Sequence, residues 1–397
     1  MANLLNLARK LRTHRQGRSP RQGFCFDRPL VLFQSDDWGR AGVRDNEGLA
    51  QLRSAGLVLG EKPYDFYTLE TAEDVYAVSE LLKRHRDAIG RPACLELNFV
   101  LANVDFEKSA AADFRNFEMR PLSQGLPGDW KRPHLFEAYA RGIADRVFYP
   151  ALHGFTHFCR QAVETCLVQD NERRTLLRTL WKAGTPYIHW RMPWVGYEYW
   201  DPEKKRDERF LPGKIQEDLF RETVNAFHNF FSMHPISACA PGYRANHDTH
   251  QAWSRNGIRV AQNGTTAVPS PPSMDHHGLV NVSRAIDFEP ATDPSFSVEK
   301  CLRIADECFI RGIPAIISIH SINFHSSLKD FRSTTVRHLD DFLSALRGKH
   351  PRLLYINDAD LYDIINTGKY ECGEGSTRIV VTKEIPQVGS FRARSGV

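Results

Sequence analysis

"LVLFQSDDWGR", residues 30–40, is the stretch that decides the fold, because a continuously apolar run ends there in two adjacent carboxylates. Such a run is typical of a strand buried on both faces of a parallel sheet. More short apolar runs start at residues 93, 146, 236, 258, 279, 313 and 352, and stretches of helical period lie between many of them. This alternation predicts an α/β fold with parallel strands, and the number of units favours a closed or nearly closed barrel over an open sheet.

The composition is that of an ordinary globular protein, with 397 residues of which 42% are hydrophobic and 25% charged. A net charge of +4 over this length is too small to indicate a nucleic-acid partner. No stretch reaches the roughly 18 to 20 apolar residues of a membrane span, and the N-terminus lacks the apolar core of a secretory signal. The eight cysteines form no CxxC pair. These features predict a cytoplasmic protein with reduced thiols and no transmembrane segment.

Three segments are expected along the chain: a basic N-terminal segment (1–24), a barrel domain (25–366) and a C-terminal tail (367–397). The basic segment has no acidic residue, so it could be an amphipathic helix in peripheral contact with the inner face of a membrane or with a partner. A solvated surface helix or a frayed terminus would have the same composition. Residues 185–214 are aromatic, proline-containing and then charged, which predicts a long aromatic loop insertion over a site.

Two histidines, His153 and His157, stand four residues apart just after a predicted strand. If Gly154 opens a helix, both imidazoles lie on one helix face and can reach one metal ion. A zinc protease of the HExxH type would need a glutamate where this chain has Gly154. Taken alone, the pair is more typical of ordinary surface or core histidines than of a metal site.

Other reactive side chains also follow predicted strands: Asp36 and Asp37 after the first run, then Arg244, then His320. In a β/α barrel the active site forms at the C-terminal ends of the strands, where these residues would meet. One aspartate with two histidines can hold a metal and leave positions open for water and substrate. A second aspartate can accept a proton, an arginine can hold that aspartate, and a histidine can protonate a leaving group. The set suits hydrolysis of an amide or an ester.

These motifs resemble those of the NodB-homology polysaccharide deacetylases, the family four carbohydrate esterases. SDDWG is similar to their first motif, TFDDG, and HGFTH to their second, H-[ST]-x-x-H, with Gly154 in place of the hydroxyl residue. APGYRAN resembles the third motif only loosely, because the arginine of the family precedes its prolines whereas Arg244 follows Pro241. SIHS resembles the fifth motif, Leu-x-His, with Ser318 in place of leucine. The resemblance spans roughly residues 28–360 and implies a distorted (β/α)7 barrel. Within the family, the sequence resembles the deacetylase-like proteins that are associated with the biosynthesis of surface polysaccharides.

The resemblance also implies a role for each matching residue. Asp36 would be the catalytic base, and Arg244 would orient it. His320 would be the general acid, and the backbone amide of Tyr243 would contact the oxyanion. The expected cofactor is a divalent metal, with Zn²⁺ the first choice, and its implied ligands are Asp37, His153 and His157. For the fourth motif, which tunes the catalytic histidine, the best candidate is Asp287 in SRAIDFEP, against the alternative of an ordinary loop acid.

Simpler interpretations exist for several of these residues. Asp36 and Asp37 alone could cap a helix. Trp38 and Trp194 could stack on a sugar ring or could be buried, and Asn323 could line the pocket. The remaining candidates, His247, His250, His276 and His277, are interpreted as loop histidines outside the metal shell.

The expected function is hydrolysis of the N-acetyl group of a saccharide or glycan intermediate, lipid-linked or soluble, by a metal-dependent deacetylase. Two alternatives stay open. The chain could be a catalytically impaired member of the same fold that binds saccharide or joins a complex. It could also be a metal hydrolase that acts on a different amide bond or on a glycosidic bond. Cleavage of a glycosidic bond would need a second carboxylate about 5 to 9.5 Å from Asp36.

Overall fold

The structure is a computed structural model that describes residues 23–115, 118–169, 172–186, 195–198, 203–205, 208–372 and 375–384. Nearly all of the predicted basic segment (1–24) lies outside these residues, and so does a large part of the predicted aromatic loop, including Trp194. Among the described residues, no helix has the length and apolar character needed to cross a bilayer.

The strands and helices alternate along most of the chain. The strands are β1 (Gly23–Phe26), β2 (Leu30–Trp38), β3 (Leu95–Val100), β4 (Ala102–Val104), β5 (Met119–Pro121), β6 (Phe148–Gly154), β7 (Ser237–Cys239), β8 (Val260–Asn263), β9 (Ser273–Met274), β10 (Val280–Ser283), β11 (Ile286–Asp287), β12 (Ala315–His320), β13 (Leu354–Tyr355), β14 (Lys369–Cys372), β15 (Gly375–Arg378) and β16 (Val381–Glu384). The helices are α1 (Asn46–Ser54), α2 (Ala72–Arg84), α3 (Phe106–Ala111), α4 (Leu135–Ala144), α5 (Arg160–Val168), α6 (Glu172–Lys182), α7 (Gly213–Phe231), α8 (His247–Arg255), α9 (Val298–Ile310), α10 (Arg332–Lys349) and α11 (Asp358–Thr367).

A row of parallel strands forms the centre of the fold, in the order β11-β12-β2-β3-β6-β7-β8-β10. Two short strands close this row into a barrel. β10 pairs in parallel with β8, and β11 pairs in parallel with β12, with only Arg284 and Ala285 between β10 and β11. The segment 280–287 therefore joins both ends of the row and counts as one strand position. The predicted α/β fold, a (β/α)7-type barrel with parallel strands, is confirmed.

The barrel interior changes from apolar to polar towards the C-terminal ends of the strands. Along β2, Leu30 and Leu32 belong to an apolar cluster in the lower barrel, and the next residues in the two-residue alternation, Gln34 and Asp36, are buried and polar. The other faces of the strands pack against the helices in the larger apolar core, as Phe33 of β2 does against Phe342 of α10. The alternation thus delivers polar side chains to the upper interior of the barrel.

Side-chain caps begin several of the helices. Thr71 accepts a hydrogen bond from the amide of Asp74, whose carboxylate accepts one from the amide of Thr71. Asn246 and Asn357 cap α8 and α11 in the same way. These reciprocal bonds satisfy amides that the first helical turn leaves without a partner.

The last strand extends the sheet beyond the barrel. β16 pairs antiparallel with β1, from Gly23 opposite Glu384 to Phe26 opposite Val381. Residues 381–384, which the sequence places in the C-terminal tail, are therefore part of the sheet.

Candidate active site

A small cavity opens at the C-terminal ends of the strands and holds most of the predicted site residues. Its volume is about 180 Å³, and its lining consists of Asp36, Asp37, Arg40, Tyr64, His153, His157, Gly242, Tyr243 and His320. The five residues taken from the first, second and fifth motifs thus meet in one place.

The backbone at Asp37 explains how two neighbouring aspartates enter the same cavity. In a regular strand, consecutive side chains point to opposite faces. Asp37 has a φ of 74°, and the pairing of β2 with β3 shifts register between Ser35 and Trp38. A non-glycine residue with positive φ is strained by roughly 1 to 3 kcal/mol, and such residues cluster at functional sites. The irregularity turns Asp37 into the cavity beside Asp36.

His153 and His157 meet without the predicted helix. β6 ends at Gly154 and the next helix, α5, begins at Arg160, so His153 lies at a strand end and His157 in the following loop. The prediction that Gly154 opens a helix is wrong, because β6 continues to Gly154, which has a φ of 146°. The two rings are nevertheless 5.4 Å apart.

Asp37, His153 and His157 form a buried group whose geometry can be tested against a metal ion. Asp37 Oδ1 lies 3.5 Å from His153 Nε2 and 3.3 Å from His157 Nε2. Ligand atoms bound at about 2.0 to 2.2 Å around a tetrahedral ion are separated by about 3.3 to 3.6 Å. His153 Nδ1 lies 3.0 Å from the carbonyl oxygen of Cys239, which favours a proton on Nδ1 and a free lone pair on Nε2. The residues present therefore fit a divalent metal.

Another group of potential ligands, Asp36, His153 and Cys239, shares His153 with the first. Arg284 occupies both carboxylate oxygens of Asp36, with Nη1 2.7 Å from Oδ2 and Nη2 2.6 Å from Oδ1. Since a carboxylate bound in this way has little to offer a metal, the group that contains Asp37 is the better metal site.

A cation already lies beside the metal-ligand candidate. Nη1 of Arg40 is 2.9 Å from Asp37 Oδ1, the same oxygen that faces both histidines. Burial opposes ionisation of Asp37, but Arg40 and His157 outweigh this effect and hold the pKa of Asp37 well below its usual value. Asp37 is therefore ionised, as a metal ligand must be, and Arg40 is a competitor for its charge.

The arginine that holds Asp36 is Arg284, not Arg244. Arg284 is fully buried and contacts Asp36 through both terminal nitrogens, whereas Arg244 pairs with the buried Glu198 at 2.9 Å. The predicted role of Arg244 is wrong for a topological reason: the bend between β10 and β11 aims Arg284 into the barrel. Burial opposes ionisation of Asp36, but Arg284 outweighs it and holds the pKa of Asp36 well below its usual value.

His320 is held by Glu289 rather than by Asp287. Glu289 Oε1 lies 2.6 Å from His320 Nδ1, whereas Asp287 is exposed and accepts a hydrogen bond from Thr265. Burial disfavours the charged form of His320, but the Glu289 carboxylate outweighs it and raises the pKa of His320 to about 9. On the other side of the ring, His320 Nε2 lies 3.7 Å from Asp36 Oδ2. His320 is therefore placed and charged as a proton donor.

Three further predictions for substrate contacts are wrong. Trp38 is fully buried in the core, and its indole nitrogen donates to Ser35 at 2.8 Å. Asn323 is also fully buried and donates to Glu289 at 2.6 Å, so it orients Glu289 instead of lining the cavity. The amide of Tyr243 donates to the carbonyl of Ala240 at 2.8 Å and is not directed at an oxyanion.

The hydroxyl of Tyr243, by contrast, belongs to the site. It accepts a hydrogen bond of 2.7 Å from Arg284 and lies 3.5 Å from His320 Nε2. The hydroxyl thus lies beside both Arg284 and His320 at the cavity.

A buried polar layer supports Arg284 and Asp36 from below. Arg284 also donates to Gln34 and Gln262, each at 3.2 Å, and Gln34 and Gln262 donate in turn to Asp358. The amide of Asp358 donates to Glu96 at 3.0 Å. Burial raises the pKa of both carboxyl groups, that of Asp358 to about 6. The position of the Asp36 and Arg284 pair is thus fixed by a continuous hydrogen-bond network.

The sequence carries a signal for Arg284 that the motif comparison does not use. Val280 and Val282 face the apolar cluster of the lower barrel, and Arg284 follows them in the same two-residue alternation. An arginine on the same strand face as two buried valines is expected to be buried, and a buried guanidinium needs an anionic partner. For Glu289 no such signal exists, because Phe288 and Glu289 are both buried and the alternation ends there.

Comparison with known proteins finds matches among solved structures, all at low sequence identity. No protein-family model matches the chain, and no curated protein sequence matches it. Among solved structures, a candidate polysaccharide deacetylase from Mycobacterium smegmatis is 10% identical, with a TM-score of 0.44 and coverage of 88% of this chain and 92% of that one. A candidate glycoside hydrolase or deacetylase from Parabacteroides distasonis is 8% identical, with a TM-score of 0.49 and coverage of 88% and 73%. A family 4 carbohydrate esterase from Streptomyces lividans is 11% identical, with a TM-score of 0.32 and coverage of 82% and 90%.

Proposed function

We propose that the protein is a metal-dependent deacetylase that hydrolyses the N-acetyl group of a saccharide or glycan intermediate in polysaccharide biosynthesis. One observation carries the proposal: an ionised carboxylate (Asp36), a protonated imidazole (His320) and a three-ligand metal group line the same cavity of about 180 Å³. Amide hydrolysis needs a base, an acid and an electrophile around one carbonyl group.

The metal would be held by Asp37, His153 and His157, and we propose zinc, because two nitrogens and one oxygen are ligands that zinc accepts. When bound, such an ion supplies a Lewis acid for the carbonyl oxygen and lowers the pKa of a water molecule.

The residues of the chain supply the proton transfers. Asp36 accepts the proton of the attacking water as the new carbon–oxygen bond forms, and Arg284 keeps Asp36 ionised and oriented. His320 donates the proton from Nε2 to the amide nitrogen as the carbon–nitrogen bond breaks, which releases acetate and an amine. We assign the oxyanion contact to the hydroxyl of Tyr243 in place of its amide, because this hydroxyl is next to His320 and is polarised by Arg284.

The proposed substrate is a saccharide, lipid-linked or soluble, and the proposed location is the cytoplasm, with the basic segment 1–24 in contact with the inner face of the membrane. Six cysteines with described side chains are buried free thiols, namely Cys94, Cys159, Cys166, Cys239, Cys301 and Cys308, which suits a reducing compartment. The basic charge of the segment suits anionic lipid.

Arg40 is the observation that favours the alternative, a catalytically impaired member that binds saccharide or joins a complex. Its guanidinium contacts the carboxylate oxygen that a metal would need. If this contact persists in solution, the site is neutralised without a metal ion. A glycosidase is less well supported, because Asp36 and Asp37, adjacent on one strand, are the carboxylates among the described residues that line the cavity.

Acetate release and metal content together test the proposal. Purified protein is offered a panel of N-acetylated mono- and oligosaccharides, before and after metal removal, with Asp36→Asn as the matched inactive variant. We expect acetate release that is lost on chelation, restored by zinc and absent in Asp36→Asn. Bound zinc without acetate release from any sugar would refute the deacetylase. Saccharide binding without zinc or acetate would establish the alternative.

A further inference from the structure

Three histidines outside the candidate active site line a second cavity, which has a volume of about 890 Å³. His247 is the first residue of α8, and His276 and His277 lie in the turn between β9 and β10. All three rings line the cavity. None of them belongs to the active-site cavity described above.

One ring nitrogen of each histidine lies within 4.8 Å of those of the other two. His247 Nδ1 lies 3.2 Å from His276 Nε2 and 3.2 Å from His277 Nε2. Nitrogen ligands bound at about 2.0 to 2.1 Å around a tetrahedral ion are about 3.3 to 3.4 Å apart. The two separations from His247 Nδ1 are therefore close to those of nitrogen atoms that share a metal ion.

Hydrogen bonds between the three rings cannot account for both close contacts of His247 Nδ1. Each imidazole nitrogen carries either one proton or one lone pair. His247 Nδ1 can thus make one linear hydrogen bond, although two nitrogens approach it at the same distance. A cation at the centre would accept a lone pair from each of the three rings.

Bonds other than those between the rings hold the backbone of this site. Ser254 of α8 donates to the carbonyl of His277 at 2.7 Å, and His250 Nδ1 lies 3.0 Å from Asp275 Oδ2. Asp275 Oδ1 also accepts the amides of His277 and Leu279, each at 2.9 Å. The turn is thus fixed to α8, which holds the backbone positions of the three histidines near one another without an ion.

We propose that His247, His276 and His277 form a second metal site, which binds Zn²⁺ or a divalent transition-metal ion with similar ligand preferences. Three neutral imidazoles favour Zn²⁺, Cu²⁺, Ni²⁺ or Co²⁺ and discriminate against Mg²⁺ and Ca²⁺, which prefer oxygen ligands. The ion joins α8 to the turn between β9 and β10. Because the rings line the large cavity, its remaining coordination positions are reached from that cavity.

The test separates this site from the one proposed at Asp37. Tag-free protein is used, because a histidine tag would bind the same ions. Zinc binding is measured by calorimetry and by metal content after dialysis, in an Asp37→Asn background that disables the active-site group. The key variant adds His276→Gln and His277→Gln, and the matched control adds His228→Gln, an exposed histidine of α7.

We expect the Asp37→Asn protein to bind one zinc per chain and to gain thermal stability with zinc but not with magnesium. Both effects should be lost with His276→Gln and His277→Gln and kept with His228→Gln. Equal zinc binding by the Asp37→Asn protein with and without the His276→Gln and His277→Gln changes would overturn the proposal. Circular dichroism of each variant before zinc addition shows that a loss of binding is not a loss of folding. Failure of the active-site proposal would leave this result unchanged.

Discussion

Replacing Glu289 by glutamine tests how the structure sets the protonation of His320. Glutamine keeps the size of the side chain and one oxygen that can accept from Asn323 or from His320 Nδ1, but removes the charge. The carboxylate, 2.6 Å from Nδ1, is the main influence that raises the pKa of His320 from 6.5 to about 9. Without it, we expect the pKa of His320 to fall towards the ordinary value of about 6.5 or lower.

The size of the effect depends on pH. A pKa of about 9 leaves roughly 90% of His320 protonated at pH ~8, whereas a pKa of about 6.5 leaves roughly 3%. If His320 is the proton donor, kcat at pH ~8 should fall roughly 30-fold in Glu289→Gln and change little at pH ~6. The sign follows from the acid role: activity is present below the pKa of His320 and is lost as the pH rises through it.

Two measurements check this prediction. The pH profile of kcat should lose activity near pH ~9 in the unmodified protein and more than two pH units lower in Glu289→Gln. An NMR titration with labelled histidine reports the pKa of His320 directly, without any substrate. Asp287→Asn is the matched control, because Asp287 is an exposed acid two residues away that contacts Thr265. An unchanged His320 pKa in Glu289→Gln, or an equal shift in Asp287→Asn, would refute the reasoning.

Three other substitutions give further expected outcomes. Arg284→Lys should lower kcat/KM roughly 100-fold, because lysine cannot bind both oxygens of Asp36, while Arg244→Lys should change it little; equal losses in the same kinetic assay would contradict the assignment. Arg40→Met should strengthen zinc binding roughly tenfold or more in calorimetry, because a charge-assisted contact to Asp37 contributes about 1.5 to 3 kcal/mol; unchanged affinity would show that Arg40 does not compete. Trp38→Ala should lower the free energy of unfolding in urea by about 3 to 5 kcal/mol, as expected for a buried core residue, whereas a sugar-contacting surface residue would leave stability unchanged.

Much of the barrel and the centre of the site are visible in the sequence, because both follow from local patterns. Continuous apolar runs define the parallel strands, and reactive residues placed directly after such runs have to meet at one end of a barrel. Asp36, Asp37, His153, His157 and His320 are all of this kind. Their identification depends on the order of residues along single strands, which the sequence contains.

The residues that were missed or misassigned depend on geometry between distant segments. The alternation with Val280 and Val282 predicts that Arg284 is buried, but its contact with Asp36 also depends on the bend where the two ends of the strand row meet, and no local pattern reports that bend. Trp38 follows two site residues, but the positive φ of Asp37 changes the faces of the strand, so the tryptophan enters the core. In both cases the position of the side chain depends on a backbone irregularity, the bend after β10 or the positive φ of Asp37, which the residue pattern alone does not predict.

Because Arg284 lies in the segment 280–287, the ionisation and orientation of Asp36 depend on completion of the barrel. Until β10 and β11 both pair with their partner strands, the guanidinium of Arg284 is not held beside Asp36, and burial of this carboxyl group without its cation favours the protonated form, which cannot act as a base. A register slip of one residue would turn Arg284 towards the helices with the same result. In an unfinished or misassembled barrel Asp36 therefore lacks its cation, and the proposed base is ionised and held in position only when the segment 280–287 has paired with both ends of the strand row.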